Sequence, residues 1–303
     1  MPAAGLVLCL ASAACFGAMG IFGKLAYDGG ATVGTLLVVR FAVASILLWA
    51  ILVAAGGLRR VRALPRSDLR LALGLGALGY SAQAGAYFGA LQRIEPGLLA
   101  LVLYTFPAIV TVAAIRLGRE RASRRTATAL ALTSAGLVLV LAGAGTGALD
   151  PVGTLLALTA AVVYATYILT SEGVAGRVGP LVLATLVCTG ATVTLTAGGL
   201  VTGDLDLSAV TAAGFGWLAA IAVVSTVAAV GLFFAGLERV GPTAASILST
   251  FEPFVTVALA GLAFGDTLSA LQLFGGLLIA GGVVALNLRG RRRPRTEPAL
   301  AGG

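Results

Sequence analysis

The chain has 303 residues, of which 59% are hydrophobic and 11% are charged, and its mean hydropathy is +1.03. A soluble domain carries about 25% charged residues, so this composition excludes an ordinary water-soluble protein and indicates an integral membrane protein. The formal net charge of +8 does not indicate nucleic-acid binding, because most of the arginines lie in short loops and in the C-terminal tail.

The three cysteines and the absence of histidine predict no metal site and no other cofactor. Cys9, Cys15 and Cys188 all lie in apolar segments, and their spacing does not match that of metal ligands. The first apolar segment has no basic residues before it and continues to about Tyr27, which is too long for the apolar region of a signal peptide. We therefore interpret it as the first membrane span.

Ten apolar stretches are long enough to cross a bilayer as helices, which requires about 17–25 residues. Charged or turn-forming residues separate each stretch from the next. The sequence therefore predicts an all-α integral membrane protein with ten transmembrane helices. In chain order, the predicted spans lie at about Leu6–Tyr27, Val33–Ala55, Leu69–Leu91, Gly97–Leu117, Thr126–Gly143, Val152–Thr170, Pro180–Val201, Gly214–Leu237, Thr243–Phe264 and Ala270–Leu288.

The basic residues are expected to lie mainly on one side of the membrane. Of the 20 lysines and arginines, all but Lys24, Arg40 and Arg93 lie close to the loops that follow even-numbered spans or in the tail, residues 289–303. Cytoplasmic loops are enriched in such residues, so both termini are predicted to be cytoplasmic. We expect the basic tail to contact anionic lipids.

The sequence also contains an internal repeat. We predict two related five-helix halves, residues 1–145 and 146–288. Because five is an odd number, the second half must cross the membrane in the inverse direction, which is typical of secondary transporters with a binding site near the midplane. A shift of 146 residues aligns, without a gap, Phe88 with Phe234, Leu91 with Leu237, Arg93 with Arg239, Pro96 with Pro242, Pro107 with Pro253, Glu120 with Asp266, and Gly136 with Gly282.

Pro107 and Pro253 lie near the middle of the predicted fourth and ninth spans. A proline within a helix removes one backbone hydrogen bond, so each is predicted to kink its helix. The carbonyl groups that are released, those of Leu103 and Ser249, are tolerated at membrane depth only when they are buried in protein or face a wet cavity.

Three segments carry a resemblance to a known family: VVRFAVASILL (38–48), FPAIVTVAAIRLGRE (106–120) and FEPFVTVALAGLAFGD (251–266). They resemble the EamA domains of the drug/metabolite transporter (DMT) superfamily, and the resemblance covers nearly the whole chain as two consecutive domains. It implies a ten-helix inner-membrane carrier with a basket-like central cavity. The pair Glu252–Pro253 is similar to that of amino-acid and metabolite exporters, whereas Asp266 stands where the family pattern has a glutamate.

Two ionisable residues are predicted to lie deep in the membrane, and such residues are by default candidates for function. Arg40 lies within the second span and Glu252 at the middle of the ninth. We predict that the planar guanidinium of Arg40 binds a substrate carboxylate or phosphate, and that Glu252 binds a substrate amine or exchanges a proton. The alternative is that both residues are structural and are satisfied by each other or by backbone carbonyls.

Polar and aromatic residues at membrane depth form a second group of candidates for the substrate site. Tyr80, Gln83 and Tyr87 recur at helical spacing and so share one face of the third span. Tyr104 lies in the fourth span and Tyr164 in the sixth. A buried tyrosine usually has a hydrogen-bond partner, and a primary amide is costly against lipid, so a cavity is the expected surrounding. Ordinary helix packing is the alternative for each residue.

These features predict a secondary transporter that exports amino acids or similar small polar metabolites by alternating access, with the proton as a candidate coupling ion. The alternative within this class is a multidrug carrier for lipophilic cations, in which Glu252 would be the counter-ion. An intramembrane enzyme is not favoured, because histidine and an HExxH motif are absent and Glu252 has no second acid at membrane depth. Membrane lipids are the other expected partners, and both a monomer and a homodimer stay open.

Overall fold

The computed structural model describes residues 2–91, 93–94, 99, 102–142, 150–264 and 269–287. Within this part of the chain all regular secondary structure is helical. Pro96, Asp266, the linker between the predicted halves and the basic tail lie outside the described residues. The helices are α1 (Ala3–Asp28), α2 (Val33–Ala54), α3 (Leu58–Arg62), α4 (Arg66–Gly74), α5 (Ser81–Leu91), α6 (Phe106–Arg116), α7 (Arg124–Leu141), α8 (Pro151–Val178), α9 (Pro180–Thr202), α10 (Ala212–Ala222), α11 (Ala229–Val240), α12 (Pro242–Ser249), α13 (Glu252–Phe264) and α14 (Ala270–Asn287).

Two π-helical segments interrupt the α-helical hydrogen bonding. The first, Leu75–Tyr80, joins α4 to α5, and the second, Val223–Ala228, joins α10 to α11. Single π-helical turns within α-helices are rare and frequently occur at functional sites. Both segments contribute to the cavity region described below.

Five helices are long and apolar enough to cross a membrane by length and composition. They correspond to the first, second, sixth, seventh and eighth predicted spans, and the eighth consists of α10, the second π-helical segment and α11. The all-helical fold class is therefore confirmed, whereas the count of ten spans stays a prediction. The five helices are Ala3–Asp28, Val33–Ala54, Pro151–Val178, Pro180–Thr202 and Ala212–Val240.

Local sequence sets where many of the helices begin. At two helix starts a glycine with positive φ precedes a proline: Gly179 has φ 89° before α9, and Gly241 has φ 81° before α12. Glycine adopts this conformation readily and proline fits the first helical turn, so at both places one helix ends and the next begins at a single glycine. At four other starts the N-cap side chain accepts a hydrogen bond from the backbone N–H three residues on; these N-caps are Thr32, Ser123, Asp150 and Thr211.

Neither Pro107 nor Pro253 lies inside a continuous helix. Helix α12 ends at Ser249, two turn residues follow, and Pro253 is the second residue of α13. A two-residue turn likewise precedes α6, of which Pro107 is the second residue. The expected kink is thus replaced by a break, because a proline that cannot donate a hydrogen bond is accommodated best in the first turn of a new helix.

The two halves pack against each other through equivalent elements. Helices α7 and α14 coincide under the shift of 146 residues and form one of the helix pairs of the fold. The other contacts are reciprocal: α1 packs against α11 as α8 packs against α5, and α1 packs against α13 as α8 packs against α6. The first π-helical segment packs against α9, and the second packs against α2. The internal repeat is therefore visible in the fold, because these contacts occur in pairs in which the two halves exchange roles.

The contact between α7 and α14 depends on a pair of glycines that the repeat relates. A Cβ atom at Gly136 would lie 2.5 Å from the carbonyl oxygen of Gly275, and one at Gly282 would lie 2.5 Å from Cγ2 of Thr133 and 3.0 Å from the carbonyl oxygen of Ala129. Small residues allow such close approach of helices in membranes. The backbones of α7 and α14 are thus too close to accommodate a side chain at either glycine.

Candidate functional site

A cavity of about 390 Å³ lies between helices of the two halves, and its wall contains all seven residues that the sequence predicted for a substrate site. Elements from both halves contribute, among them α1, α2, α5, α8 and α13. The structure thus brings together side chains that are up to 212 positions apart in the chain. The seven residues are Arg40, Tyr80, Gln83, Tyr87, Tyr104, Tyr164 and Glu252.

Arg40 is 4% exposed, and its guanidinium is engaged by polar groups of the protein. Its Nε donates to Oγ1 of Thr226 at 2.8 Å, and its Nη2 donates to the hydroxyl of Tyr80 at 3.1 Å and to the carbonyl oxygen of Ser225 at 3.4 Å. The guanidinium also lies 4.9 Å from the ring centroid of Phe41. A buried charge needs such partners, so this geometry favours a structural role for Arg40 over binding of a substrate carboxylate.

The second π-helical segment supplies two of the partners of Arg40. The hydroxyl of Thr226 donates to the carbonyl oxygen of Ile221, five residues earlier, at 3.0 Å, so its lone pairs accept from Arg40. The side chain of Ser225 donates to the carbonyl oxygen of Cys15 at 2.7 Å and thereby attaches this segment to α1. The wider helical turn therefore places a hydroxyl and a carbonyl oxygen side by side in front of the guanidinium.

Glu252 is the first residue of α13 and borders the cavity. The hydroxyl of Tyr104, which also lines the cavity, lies beside its carboxylate. The helix break is packed closely against α1: a Cβ atom at Gly17 would lie 2.9 Å from the carbonyl oxygen of Glu252, and Oγ1 of Thr256 donates to the carbonyl oxygen of Gly17 at 3.0 Å. This packing holds the carboxylate at the cavity wall.

All six tyrosines of the sequence line this cavity. Four aromatic rings form a connected series, in which Phe106 lies 4.7 Å from Tyr164, Tyr164 lies 6.2 Å from Tyr167, and Tyr167 lies 5.9 Å from Tyr80, measured between ring centroids. Such distances are those of stabilising aromatic pairs. The result is a mostly apolar wall that also presents several hydroxyl groups.

Several residues that line the cavity could not be recognised as such from the sequence. Lys24 and Tyr27 lie in the last two turns of α1, where charged and aromatic residues are usually placed at the membrane interface. Met19 and Phe233 also line the cavity, but an apolar residue in an apolar helix cannot be distinguished from a lipid-facing one by composition. Their positions follow from the packing of the helices alone.

Comparison with known proteins relates the chain to a family of membrane proteins. The sequence profile described as the EamA-like transporter family matches residues 3–142 and 151–288. The fold is also similar to that of a solved crystal structure, with a TM-score of 0.81 and 19% sequence identity over 95% of this chain and 98% of the other. This likeness concerns the fold alone. No curated protein sequence matches the chain.

Proposed function

The chain belongs to the EamA-like transporter family of the DMT superfamily, and on this premise we propose that it is a secondary carrier that exports a small amine-bearing metabolite. Amino acids and similar polar metabolites are the proposed substrates, and the inner membrane is the proposed location. The observation that carries this proposal is the carboxylate of Glu252 at the wall of a cavity formed by both halves.

Glu252 is the proposed binding group for the substrate amine. The cavity is also lined by Arg40, but the guanidinium already has hydrogen-bond partners within the protein. Glu252 is partly buried, and a carboxylate withdrawn from water is costly unless it is paired, so a substrate ammonium group would offset this cost. The volume of about 390 Å³ lies within the range of small-molecule pockets.

The hydroxyl groups of the cavity are the proposed partners for the other polar groups of the substrate. Tyr87 and Gln83 follow one another on the same face of α5, and Tyr104 lies beside Glu252. The aromatic rings would contact an apolar substituent, as in most small-molecule sites. Gln83, Tyr80, Tyr87, Tyr104 and Tyr164 therefore stay proposed substrate-binding residues.

We propose that the two five-helix halves, residues 1–145 and 146–288, form ten membrane spans with both termini in the cytoplasm. The reciprocal contacts between equivalent helices support this arrangement, since they are those of a two-fold related pair. The basic loops after α2 and α6 support the orientation, because such loops stay cytoplasmic. Alternating access would then move the halves around the cavity between them.

A carrier for lipophilic cations is the second candidate, and the aromatic wall favours it. Cations bind to the faces of aromatic rings, and Glu252 would be the counter-ion. The two candidates differ in what else the substrate carries: an amino acid needs partners for its carboxylate, whereas a lipophilic cation needs only the rings and Glu252. Competition between the two ligand classes separates them.

The proposal is tested by ligand binding to the purified full chain in detergent. We expect amino acids or small amines to raise the melting temperature of the wild type, and tetraphenylphosphonium to compete only weakly. Glu252→Gln should lose this effect, whereas Glu238→Gln, which removes an exposed carboxylate outside the cavity, should retain it. Equal responses of the wild type and Glu252→Gln to every amine would refute the proposed role of Glu252.

A further inference from the structure

A second cavity, of about 410 Å³, lies near the N-terminal end of α1, whereas the central cavity extends to its C-terminal end. Gly5, near the start of α1, packs against Arg239 and Val240, and Val240 lines the second cavity. Tyr27, near the end of α1, lines the central cavity and is 40% exposed. A helix of 26 residues measures about 39 Å, so the two cavities face opposite sides of the molecule.

The second cavity is polar and contains charges of both signs. Arg119, Arg125, Glu120 and Glu172 all line it. Nη1 of Arg119 donates to the carbonyl oxygen of Leu169 at 2.7 Å and lies 3.5 Å from Oε2 of Glu172. Arg119 therefore attaches the loop after α6 to α8 at the edge of this cavity.

Three buried hydroxyl groups lie on α8, which lines both cavities, and on α12, which lines the second cavity. Within the described part of the chain, the buried side-chain polar atoms without a hydrogen-bond partner are the hydroxyl of Tyr167, Oγ of Ser171 and Oγ1 of Thr243. These residues are exposed by 4%, 0% and 2%. Tyr167 lines the central cavity, Thr243 lines the second cavity, and Ser171 lies one turn beyond Tyr167 on α8 and next to Glu172.

These hydroxyl groups belong to two helices that are in contact. Tyr167 and Ser171 lie on α8 and Thr243 lies on α12, and the two helices pack against each other. Native proteins rarely leave buried polar groups unpaired, because such groups lose their hydration without compensation. Other buried hydroxyl groups follow this rule: Oγ1 of Thr185 donates to the carbonyl oxygen of Leu181 at 2.8 Å. The three unpaired groups would be hydrated if α8 and α12 separated.

We propose that the contact between α8 and α12 is the closed gate of the substrate path, and that Tyr167, Ser171 and Thr243 line this path when it opens. The second cavity is then the cytoplasmic vestibule, in which Glu120 and Glu172 offer carboxylates to an amine-bearing substrate. This inference rests on the proposed transporter function and orientation.

Cysteine accessibility tests the gate without knowledge of the substrate. In a full-length background with Cys9, Cys15 and Cys188 replaced by alanine, Ser171→Cys and Thr243→Cys are exposed to the charged, membrane-impermeant thiol reagent MTSET. Thr185→Cys is the matched control, since Thr185 is 0% exposed and its hydroxyl is paired. We expect both test cysteines to react from the cytoplasmic face, roughly tenfold faster than the control, because transient opening exposes them.

Two results would overturn the gate: reaction rates equal to that of Thr185→Cys, or reaction only from the opposite face. If a cysteine variant fails to fold, Ser171→Ala and Thr243→Val decide instead. Both remove an unpaired hydroxyl, so they should keep or raise the melting temperature, whereas Thr185→Val should lower it; a decrease in all three would contradict the inference. Binding of amines to wild type and Glu252→Gln is unaffected by these outcomes, so the proposed function stands or falls separately.

Discussion

Tyr80 and Thr226 occupy equivalent positions of the two repeats, 146 residues apart, and both hold the guanidinium of Arg40. Tyr80 is the last residue of the first π-helical segment, and Thr226 lies in the second. The single buried arginine of the described residues thus connects the two halves through positions that the repeat relates. The cavity lies directly beside this connection, since Arg40 and Tyr80 also line it.

The first prediction concerns this connection. Thr226→Val keeps the shape of the side chain but removes the acceptor of the 2.8 Å hydrogen bond from Arg40. Hydrogen bonds to charged groups contribute about 1.5–3 kcal/mol, so we expect the free energy of unfolding to fall by about that amount. Thermal unfolding in detergent measures the change. Thr256→Val, which loses only bonds to backbone carbonyls, should cost less, and equal losses would contradict a special role for the Arg40 contact.

The second prediction concerns proton coupling at Glu252. A carboxylate that exchanges a proton during transport gives the rate a pH dependence, and a glutamine cannot exchange it. We expect Glu252→Gln to abolish the pH dependence of transport between about pH 5 and 8. Carboxyl groups at functional sites of proteins can titrate within this range. Uptake of labelled substrate into proteoliposomes measures the profile. An unchanged rate and profile in a well-folded Glu252→Gln variant would end the proton-carrier hypothesis.

The third prediction separates the hydroxyl of Tyr104 from its ring. Tyr104→Phe keeps the aromatic surface near Phe106 but removes a hydroxyl that lines the cavity beside the Glu252 carboxylate. A hydrogen bond from this hydroxyl to a neutral substrate group would contribute about 1 kcal/mol, so we expect the affinity for an amine-bearing ligand to fall about fivefold. Titration of ligand into purified protein measures the affinity. Tyr27→Phe, at the outer part of the cavity, is the control and should change it less; the reverse order would place the amine elsewhere.

The fourth prediction compares two neighbouring glycines of α14. A side chain at Gly282 meets the backbone of α7, whereas a Cβ atom at Gly281 meets nothing within 4 Å. Gly282→Val should therefore destabilise the protein by about 1–3 kcal/mol or more through overpacking, and Gly281→Val should be nearly neutral. Melting temperatures of the two variants measure the difference. Equal values would mean that α7 and α14 do not make this close contact.

The fifth prediction concerns pH and the loop between α9 and α10. Asp206 accepts hydrogen bonds from the hydroxyl of Ser208 at 2.6 Å and from its backbone N–H at 2.8 Å, and these bonds lower the pKa of Asp206 below its ordinary value of 3.8. A lowered pKa in the folded state means that the contribution to stability is present above the ordinary pKa and is lost as pH falls through the lowered one. We expect Asp206→Asn to be slightly less stable than wild type at neutral pH, with the difference vanishing in acid. A difference in melting temperature that is constant with pH would refute this.

Hydropathy and spacing alone determined much of the architecture. The helical class, the repeat and the family follow from local signals, because membrane helices need long apolar stretches and a repeat needs only a constant offset. Arg40 and Glu252 could be singled out as candidates in the same way, since charges are rare in apolar segments. The proline breaks were only half foreseen: the sequence indicates a disturbed helix, but not that a new helix begins there.

Only the tertiary structure decided which residues meet. The main partner of Arg40 is Thr226, 186 residues away, and nothing in the local sequence of either residue indicates that contact. Likewise, all six tyrosines line one cavity although they lie in five different segments of the chain. The physical reason is that the hydropathy of a segment determines whether its residues are buried. The hydrogen-bond partners of a buried charge depend instead on which helix packs against it. The sequence thus determined that a charge must be buried, and the packing of two halves decided what pairs with it.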